Sequence, residues 1–305
     1  MSIGFQSAQL ENTRAKTPGA VNTGRSERRS SLRPRFRESW RKIIESDSKL
    51  KHHDQAPNFG EKLCVAVWIA RTEALLKAQS SHKILTDDDR SALARLQTSA
   101  ARDCAMAAKL LLRLSLSQSV ERRIEPCEWH FQRTLLGKPR ISSSLPDVNF
   151  SVSHTDAVTV VAVSSSLNLG IDVELVDQEL TGNVMAGSCN PKELTAAFQN
   201  LPQPQRTREF IRLWTQKEAY TKLLGCGHSI EFSSIECQPD ALRVEGEASS
   251  AASIHFEHFY VPVDHALYHA SLAIEKPSLA SIDVRLINVL GPEGTNNAHI
   301  APAVS

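Results

Sequence analysis

The apolar positions of this chain change period along its length, and the changes mark its elements. The first sustained signal is Leu63-Cys-Val-Ala-Val-Trp-Ile-Ala70, an unbroken apolar run of strand length. Thr86 followed by Asp89 has the spacing of a helix N-cap with an acidic first turn, opening a helix through about Leu96. A longer helix is expected from about Ser99 to Ser115, with Met106, Leu110 and Leu114 on one face. Trp129 and Phe131 alternate on a strand that ends at the Gly137-Lys-Pro139 turn. Two strands, from about Val148 and from about Val158, are joined across His154-Thr-Asp-Ala157. A further strand starts at Leu169, and Asn190-Pro191 caps a short helix. Gln205 to about Leu224 reads as a long helix stopped by Gly225 and Gly227. Strand-like runs follow from about Ser234, Ile254 and Leu267, and the stretch after about Lys276 has no assignment. The mixture predicts an α+β fold.

Composition narrows the class. No apolar run approaches the ~18 residues that a membrane helix needs. The net charge of +1 hides an asymmetry, because residues 1–45 carry ten Lys/Arg against four Asp/Glu. The body is therefore mildly acidic behind a basic leader, and nothing in it argues for nucleic acid. Residues 1–60 are poor in aromatics and crowded with arginine and serine, a composition that cannot bury a core and reads as disordered. The leader shares this Arg- and Ser-rich character with organelle transit peptides but lacks the apolar segment of a secretory signal. A non-homologous tail or a misplaced start is the favoured reading. Six cysteines are scattered without a C-x-x-C pair or metal-type spacing, as in a reduced, cytoplasmic protein.

The chemistry concentrates in two segments. In Phe210-Ile-Arg-Leu-Trp-Thr-Gln-Lys-Glu-Ala-Tyr-Thr-Lys222, helical periodicity puts Trp214, Glu218 and Lys222 along one face. In Gly170-Ile-Asp-Val-Glu174, a strand period of two puts Asp172 and Glu174 on one side. Each segment alone has a plain explanation: an exposed Glu/Lys helix pair, or a polar end to an apolar strand. Packed together, they would converge three carboxylates and an ammonium, a set able to hold one Mg²⁺ against a pyrophosphate.

The surrounding letters sharpen this. Gly137-Lys138-Pro139, Asn149-Phe-Ser-Val-Ser-His154, the Gly-Ile-Asp-x-Glu strand and the Trp-Thr-x-Lys-Glu-Ala-x-x-Lys helix stand in that order between Arg133 and Lys222. In these four segments the chain resembles the Sfp-type 4′-phosphopantetheinyl transferases. The resemblance implies two pseudo-two-fold-related α/β lobes in a monomer, with the active site in the cleft between them. On that division residues 1–60 are the leader, 61–165 one lobe, 166–285 the second lobe with the Mg²⁺ motifs, and 286–305 a tail.

The implied reaction moves the 4′-phosphopantetheine arm of coenzyme A (CoA) to a serine of an acyl- or peptidyl-carrier protein, releasing adenosine 3′,5′-bisphosphate. Carry-over assigns Asp172, Glu174 and Glu218 to Mg²⁺, Glu218 also to the serine proton, and Lys222 to a phosphate oxygen. Ser153 and His154 become CoA phosphate ligands, while Arg133, Gly137 and Lys138 lie along the adenine and 3′-phosphate. Lys217, elsewhere on the helix, is a weaker candidate for a CoA phosphate. In one place the chain departs from the family: Asp89 and Ala92 stand where its members carry basic residues for the 3′-phosphate, leaving Arg90 and Arg95 as substitutes. Partner carriers are acidic, so an apolar and basic groove beside the cleft is expected. Two other classes fit the residues, a non-catalytic CoA- or carrier-binding homologue and another Mg²⁺-dependent phosphotransferase. No P-loop or Gly-rich nucleotide fingerprint supports a kinase.

Overall fold

The computed structural model describes residues 63–77, 81–177, 182–198, 201–238, 241–244, 254–275 and 281–289. In chain order the elements begin with β1 (Leu63–Arg71), the short helices α1 (Thr72–Leu76) and α2 (Ser81–Ile84), α3 (Asp87–Ala94) and α4 (Ser99–Ser119). The hairpin β2 (Phe131–Arg133) and β3 (Pro139–Ile141) leads to β4 (Asn149–His154), β5 (Val158–Ser164) and β6 (Leu169–Leu175). Then come α5 (Gly182–Ser188), α6 (Pro191–Phe198), α7 (Gln203–Leu224), β7 (Ile235–Gln238) and β8 (Ala241–Val244). The last strands are β9 (Ile254–Val263), β10 (Ala266–Glu275) and β11 (Ile282–Asn288). The fold is mixed α and β. The leader at 1–60 and residues 290–305 of the tail lie outside the described residues.

Two sheets, ordered β11-β1-β5-β4 and β6-β10-β9, set the architecture. Alternate residues of β1 feed different cores. Ala66, Trp68 and Ala70 cluster with Leu110, Leu111 and Leu114 of α4. Val65, Val67 and Ile69 cluster instead with Ile171 and Val173 of β6 and with Ala270 and Leu272 of β10. A strand buried on both faces has no polar side to show, hence the unbroken apolar run at 63–70. The far face of the second sheet is covered by α7, whose Phe210, Ile211, Ala219 and Leu223 join Phe256 and Ala273. The order of layers is α4, four-stranded sheet, three-stranded sheet, α7. Because Leu169, Ile171 and Val173 fill the core between the sheets, Gly170, Asp172 and Glu174 are left on the side of α7.

Local chemistry sets the ends of these elements. The Thr86 hydroxyl accepts from Asp89 N while the Asp89 carboxylate accepts from Thr86 N, a capping box for α3. Gly225, at φ 73°, takes the left-handed turn that stops α7. Two features differ from the sequence reading. Trp129 is not on the hairpin strand: it ends a 3-10 turn at Pro126–Glu128 and is fully buried, its indole donating to Ser117 Oγ at 2.9 Å. The unassigned stretch after Lys276 contains β11, which runs parallel to β1 from Leu63↔Ile282 to Ile69↔Asn288. The boundary drawn between 285 and 286 thus falls inside a strand, and that strand belongs to the sheet of the amino-terminal half.

Candidate active site

Gly170 decides how close α7 comes to β6. A β-carbon at this position would lie 2.0 Å from the Ala219 carbonyl oxygen and 2.4 Å from Leu223 N. Only glycine permits that approach of helix to strand. Glu218 and Lys222, each one residue before those contacts, are thereby brought over β6 at Asp172.

There the Lys222 Nζ donates to Asp172 Oδ1 at 2.6 Å and to Ser153 Oγ at 3.1 Å. Ser153 in turn donates to the same Asp172 oxygen at 2.8 Å. The Asp172 side chain is 4% exposed and that of Lys222 19%. Burial disfavours the Lys222 ammonium, but Asp172, Glu218 and Glu174 outweigh it and hold its pKa above the ordinary lysine value. An ion pair this buried is a weak stabiliser, because desolvation offsets much of its Coulomb gain. What it secures is a positive charge held in a fixed place.

Glu174 and Glu218 complete the cluster. Burial, then repulsion from Asp172, pushes the Glu174 carboxyl up to about 8 against the pull of Lys222. Burial pushes Glu218 up to about 7, with Lys222 lowering it and Asp172 raising it. The Trp214 indole lies near enough to Glu174 to favour its charged form, though its buried N–H makes no hydrogen bond among the described residues. Trp214 itself is wedged between Phe210 and Phe232, with ring centroids 6.0 and 5.1 Å away.

The carboxylates interact but are not gathered as a cage. Among the described residues no group of three His, Cys, Asp or Glu side chains has a metal-holding arrangement. Lys222 is the group that stands against Asp172. The donor chemistry does suit a hard divalent cation, since all three groups are carboxylates and the buried Asp172 Oδ2 has no donor from the protein.

Several expected CoA contacts are given other work. The Ser153 hydroxyl is engaged inside the Asp172–Lys222 pair. Lys138 reaches under the end of α7, donating to Leu223 O at 2.8 Å, Leu169 O at 3.2 Å and Asn168 Oδ1 at 3.1 Å. Burial pulls its pKa down to about 8, with Glu275 opposing. It closes the carboxyl end of the helix onto the start of β6, and all three ammonium protons are engaged. Lys217 is fully buried, donating to Glu193 Oε2 at 2.6 Å and to the Ser188 and Phe232 carbonyls at 2.9 Å, so no phosphate meets it. Asp89 is buried beneath α4, accepting from Arg113 at 2.7 Å and Lys109 at 2.9 Å, which accounts for an acid at that position.

Other candidates stay near solvent. Arg133 is exposed on the β2–β3 hairpin and donates one bond, 2.8 Å, to the carbonyl of Gly137, whose φ of 91° makes the turn. Arg90 pairs with Asp87 at 2.7 Å, and Arg95 is the C-cap residue of α3. His154 is half-buried at the end of β4; burial and then the charge of Lys222 pull its pKa down to about 4, so its ring is neutral and close to the cluster. A cavity of about 280 Å³ opens between hairpin and helix end, lined by Thr134, Lys138, Pro139, Arg140, Asn149 and Leu224.

Sequence reasoning missed three supports. Ser151 Oγ accepts from Ile171 N at 3.0 Å, tying β4 to the edge of β6 by a side chain rather than a ladder bond. Glu193 accepts from Asn190 N, Cys237 N and Lys217 at once. Thr215, fully buried in α7, contacts His269 and Ser271 of β10. Ser151 and Thr215 fall within the motifs, so the signal was present without its geometry.

Residues 68–166 match a family model described as the amino-terminal part of 4′-phosphopantetheinyl transferase, and residues 168–272 match the 4′-phosphopantetheinyl transferase superfamily model. The two matches adjoin and take in α4, α7, β4, β5, β6 and β9, with most of β10 and the end of β1. The chain belongs to the 4′-phosphopantetheinyl transferase superfamily. It is 31% identical over 149 residues to the 4′-phosphopantetheinyl transferase pptA of Paxillus involutus, covering 42% of this chain and 56% of that one. With the 4′-phosphopantetheinyl transferase of Bacillus subtilis it shares 31% over 126 residues, 41% of this chain and 53% of the relative. With the human L-aminoadipate-semialdehyde dehydrogenase-phosphopantetheinyl transferase it shares 25% over 154 residues, 46% and 48%. The matched region spans about half the length of these relatives.

Proposed function

We propose that the protein is an enzyme that transfers the 4′-phosphopantetheine arm of CoA to a serine hydroxyl of an apo acyl- or peptidyl-carrier protein, releasing adenosine 3′,5′-bisphosphate. The observation that carries this reading is the Lys222 ammonium, held at 2.6 Å on Asp172 with Glu174 and Glu218 beside it, within two family motifs. The names of the relatives support the same activity.

In this mechanism Lys222 donates to the phosphate oxygen that gains charge as the bond to the leaving group lengthens. Asp172 and Ser153 keep the ammonium charged and aimed. Glu218, one turn earlier on α7, accepts the serine proton. The neutral His154 imidazole offers one N–H to a CoA phosphate. The hairpin cavity takes a single ring system, which suits the adenine; Arg133 lies on the same hairpin, and Arg90 and Arg95 are assigned to the 3′-phosphate. Asp172, Glu174 and Glu218 would hold Mg²⁺, which neutralises pyrophosphate charge when bound. Two lobes related by a pseudo-two-fold axis are supported by the layer order, one long helix outside each sheet. We take the enzyme as a cytoplasmic monomer, and its six free thiols suit a reducing compartment.

The test is incubation with CoA, Mg²⁺ and a panel of apo carrier proteins, followed by intact-mass measurement of each carrier. A gain equal to the phosphopantetheine arm on at least one carrier is expected. No gain on any of them contradicts the proposal.

A further inference from the structure

We infer that Thr215 is a positioning residue of this centre, its hydroxyl fixing where α7 sits along β10 and hence where Glu218 and Lys222 stand over Asp172. The inference rests on the transferase reading for its kinetic arm only. Thr215, Glu218 and Lys222 fall at i, i+3 and i+7, one stripe of the helix. The Thr215 Oγ1 lies 2.8 Å from His269 Nδ1 and 2.8 Å from Ser271 Oγ. Those two residues are the register partners of the motif carboxylates, His269 opposite Glu174 and Ser271 opposite Asp172. One hydroxyl therefore joins the helix that carries the base and the ammonium to the rungs that carry the acids.

The protons of this network can be assigned. His269 Nε2 is buried without a partner. A bare lone pair there costs less than an orphaned N–H, so Nδ1 carries the proton and donates to Thr215. Thr215 donates to Ile211 O at 2.9 Å, Ser271 donates to Thr215, and His258 Nδ1 donates to Ser271 Oγ at 2.9 Å. Each bond in the set then has one donor and one acceptor. A bond from a buried helical threonine to the carbonyl four residues back is common and by itself purely local. The bonds to β10 are not local. Apolar contacts let a helix slide by tenths of an ångström, whereas directional bonds at 2.8 Å specify one position. With Gly170 setting the distance of α7 from the sheet, Thr215 sets its axial position.

Two substitutions and two readouts test this. Thr215→Val keeps the shape and removes the hydroxyl; Thr215→Ser keeps the hydroxyl. The first readout is transfer kinetics: Thr215→Val should lower kcat about tenfold or more while the KM for CoA moves less than about threefold, and Thr215→Ser should recover kcat to within about threefold of wild type. The second needs no turnover. Acetic anhydride labelling of Lys222, read by peptide mass spectrometry, should run several-fold faster in Thr215→Val than in wild type or Thr215→Ser, because the Asp172 contact is loosened. If Thr215→Val does not fold, Ser271→Ala, which removes one of the two strand bonds, is read in the same way and should give a smaller change of the same sign. Wild-type Lys222 protection in a folded Thr215→Val overturns the inference, as does a Thr215→Ser as impaired as Thr215→Val. If the wild type modifies no carrier, the proposed function fails, and the labelling still decides the role of Thr215.

Discussion

Gly170 and Ala219 approach so closely that the strand has no room for a side chain: a β-carbon on Gly170 would fall 2.0 Å from the Ala219 carbonyl oxygen. Gly170→Ala must therefore lift α7 from β6, since the obstacle is backbone rather than a movable side chain. A loss of stability of at least about 1–3 kcal/mol is expected, the range for overpacking a filled core. Transfer should fall further than stability explains, because Lys222 and Asp172 are carried apart. Urea unfolding beside transfer rates at a temperature where the variant stays folded checks both. Unchanged activity in a folded Gly170→Ala would mean that this approach does not position the site.

Lys138→Met should weaken the junction of α7 with β6. Three hydrogen bonds to Leu223, Leu169 and Asn168 are lost together, and the expected cost is about 1–3 kcal/mol because their acceptors can regain water. If Lys138 instead grips CoA, the substitution raises the KM for CoA several-fold with little change in the unfolding midpoint. Chemical denaturation and a KM measurement on the same sample separate these roles.

Lys217 and Glu193 form a buried pair at 2.6 Å with side chains 1% and 4% exposed. Lys217→Met leaves a buried carboxylate without its cation, and about 3–5 kcal/mol of destabilisation is expected. Lys217→Met combined with Glu193→Gln should recover part of that loss, since no uncompensated charge remains. A double-mutant cycle of unfolding free energies measures the coupling; additive losses would contradict the pairing.

Acid should destabilise the fold through buried histidine. Burial, then the charges of His258 and Arg212, pull the His269 pKa from 6.5 down to about 3. The folded state thus binds the neutral ring, so its contribution is intact above the unfolded value near 6.5 and is lost as pH falls below it. The slope is about 1.4 kcal/mol per pH unit for one such group, and His154, pulled down to about 4, adds in the same direction. Glu174 and Glu218, whose carboxyls are pushed up, act with the opposite sign over the same range, so the histidine is read as a difference: between pH 7.5 and 5.5 the unfolding free energy of wild type should change by about 1.4 kcal/mol more in the destabilising direction than that of His269→Asn. Equal slopes in the two proteins would contradict the assignment.

What could be read from the letters was what depends on period. The side shared by Asp172 and Glu174 follows from a strand's repeat of two, and the stripe of Glu218 and Lys222 from the helical turn. The four-layer order explains why 63–70 lacks polar alternation, but a single apolar run does not say which sheets lie on its two faces. The roles of Lys138, Lys217 and Ser153 were not legible, because each depends on acceptors 15 to 85 residues away in sequence. The strand Ile282–Asn288 begins with alternating Ile282, Asp283, Val284 and Arg285, a weak period-two signal that the sequence reading passed over. Its pairing with β1, more than two hundred residues earlier, has no local signature.

The central claim is that Asp172 and Lys222 form the reacting centre of a CoA-to-carrier transferase. It is tested most directly by initial rates of carrier modification, followed by intact mass at saturating CoA and Mg²⁺, for wild type, Asp172→Ala and Lys222→Met. The wild type is expected to convert the carrier. Asp172→Ala should abolish conversion with the fold intact by circular dichroism, and Lys222→Met should lower kcat by about 10²–10³-fold, the loss of one electrostatic donor. Wild-type rates in either folded variant would contradict the account.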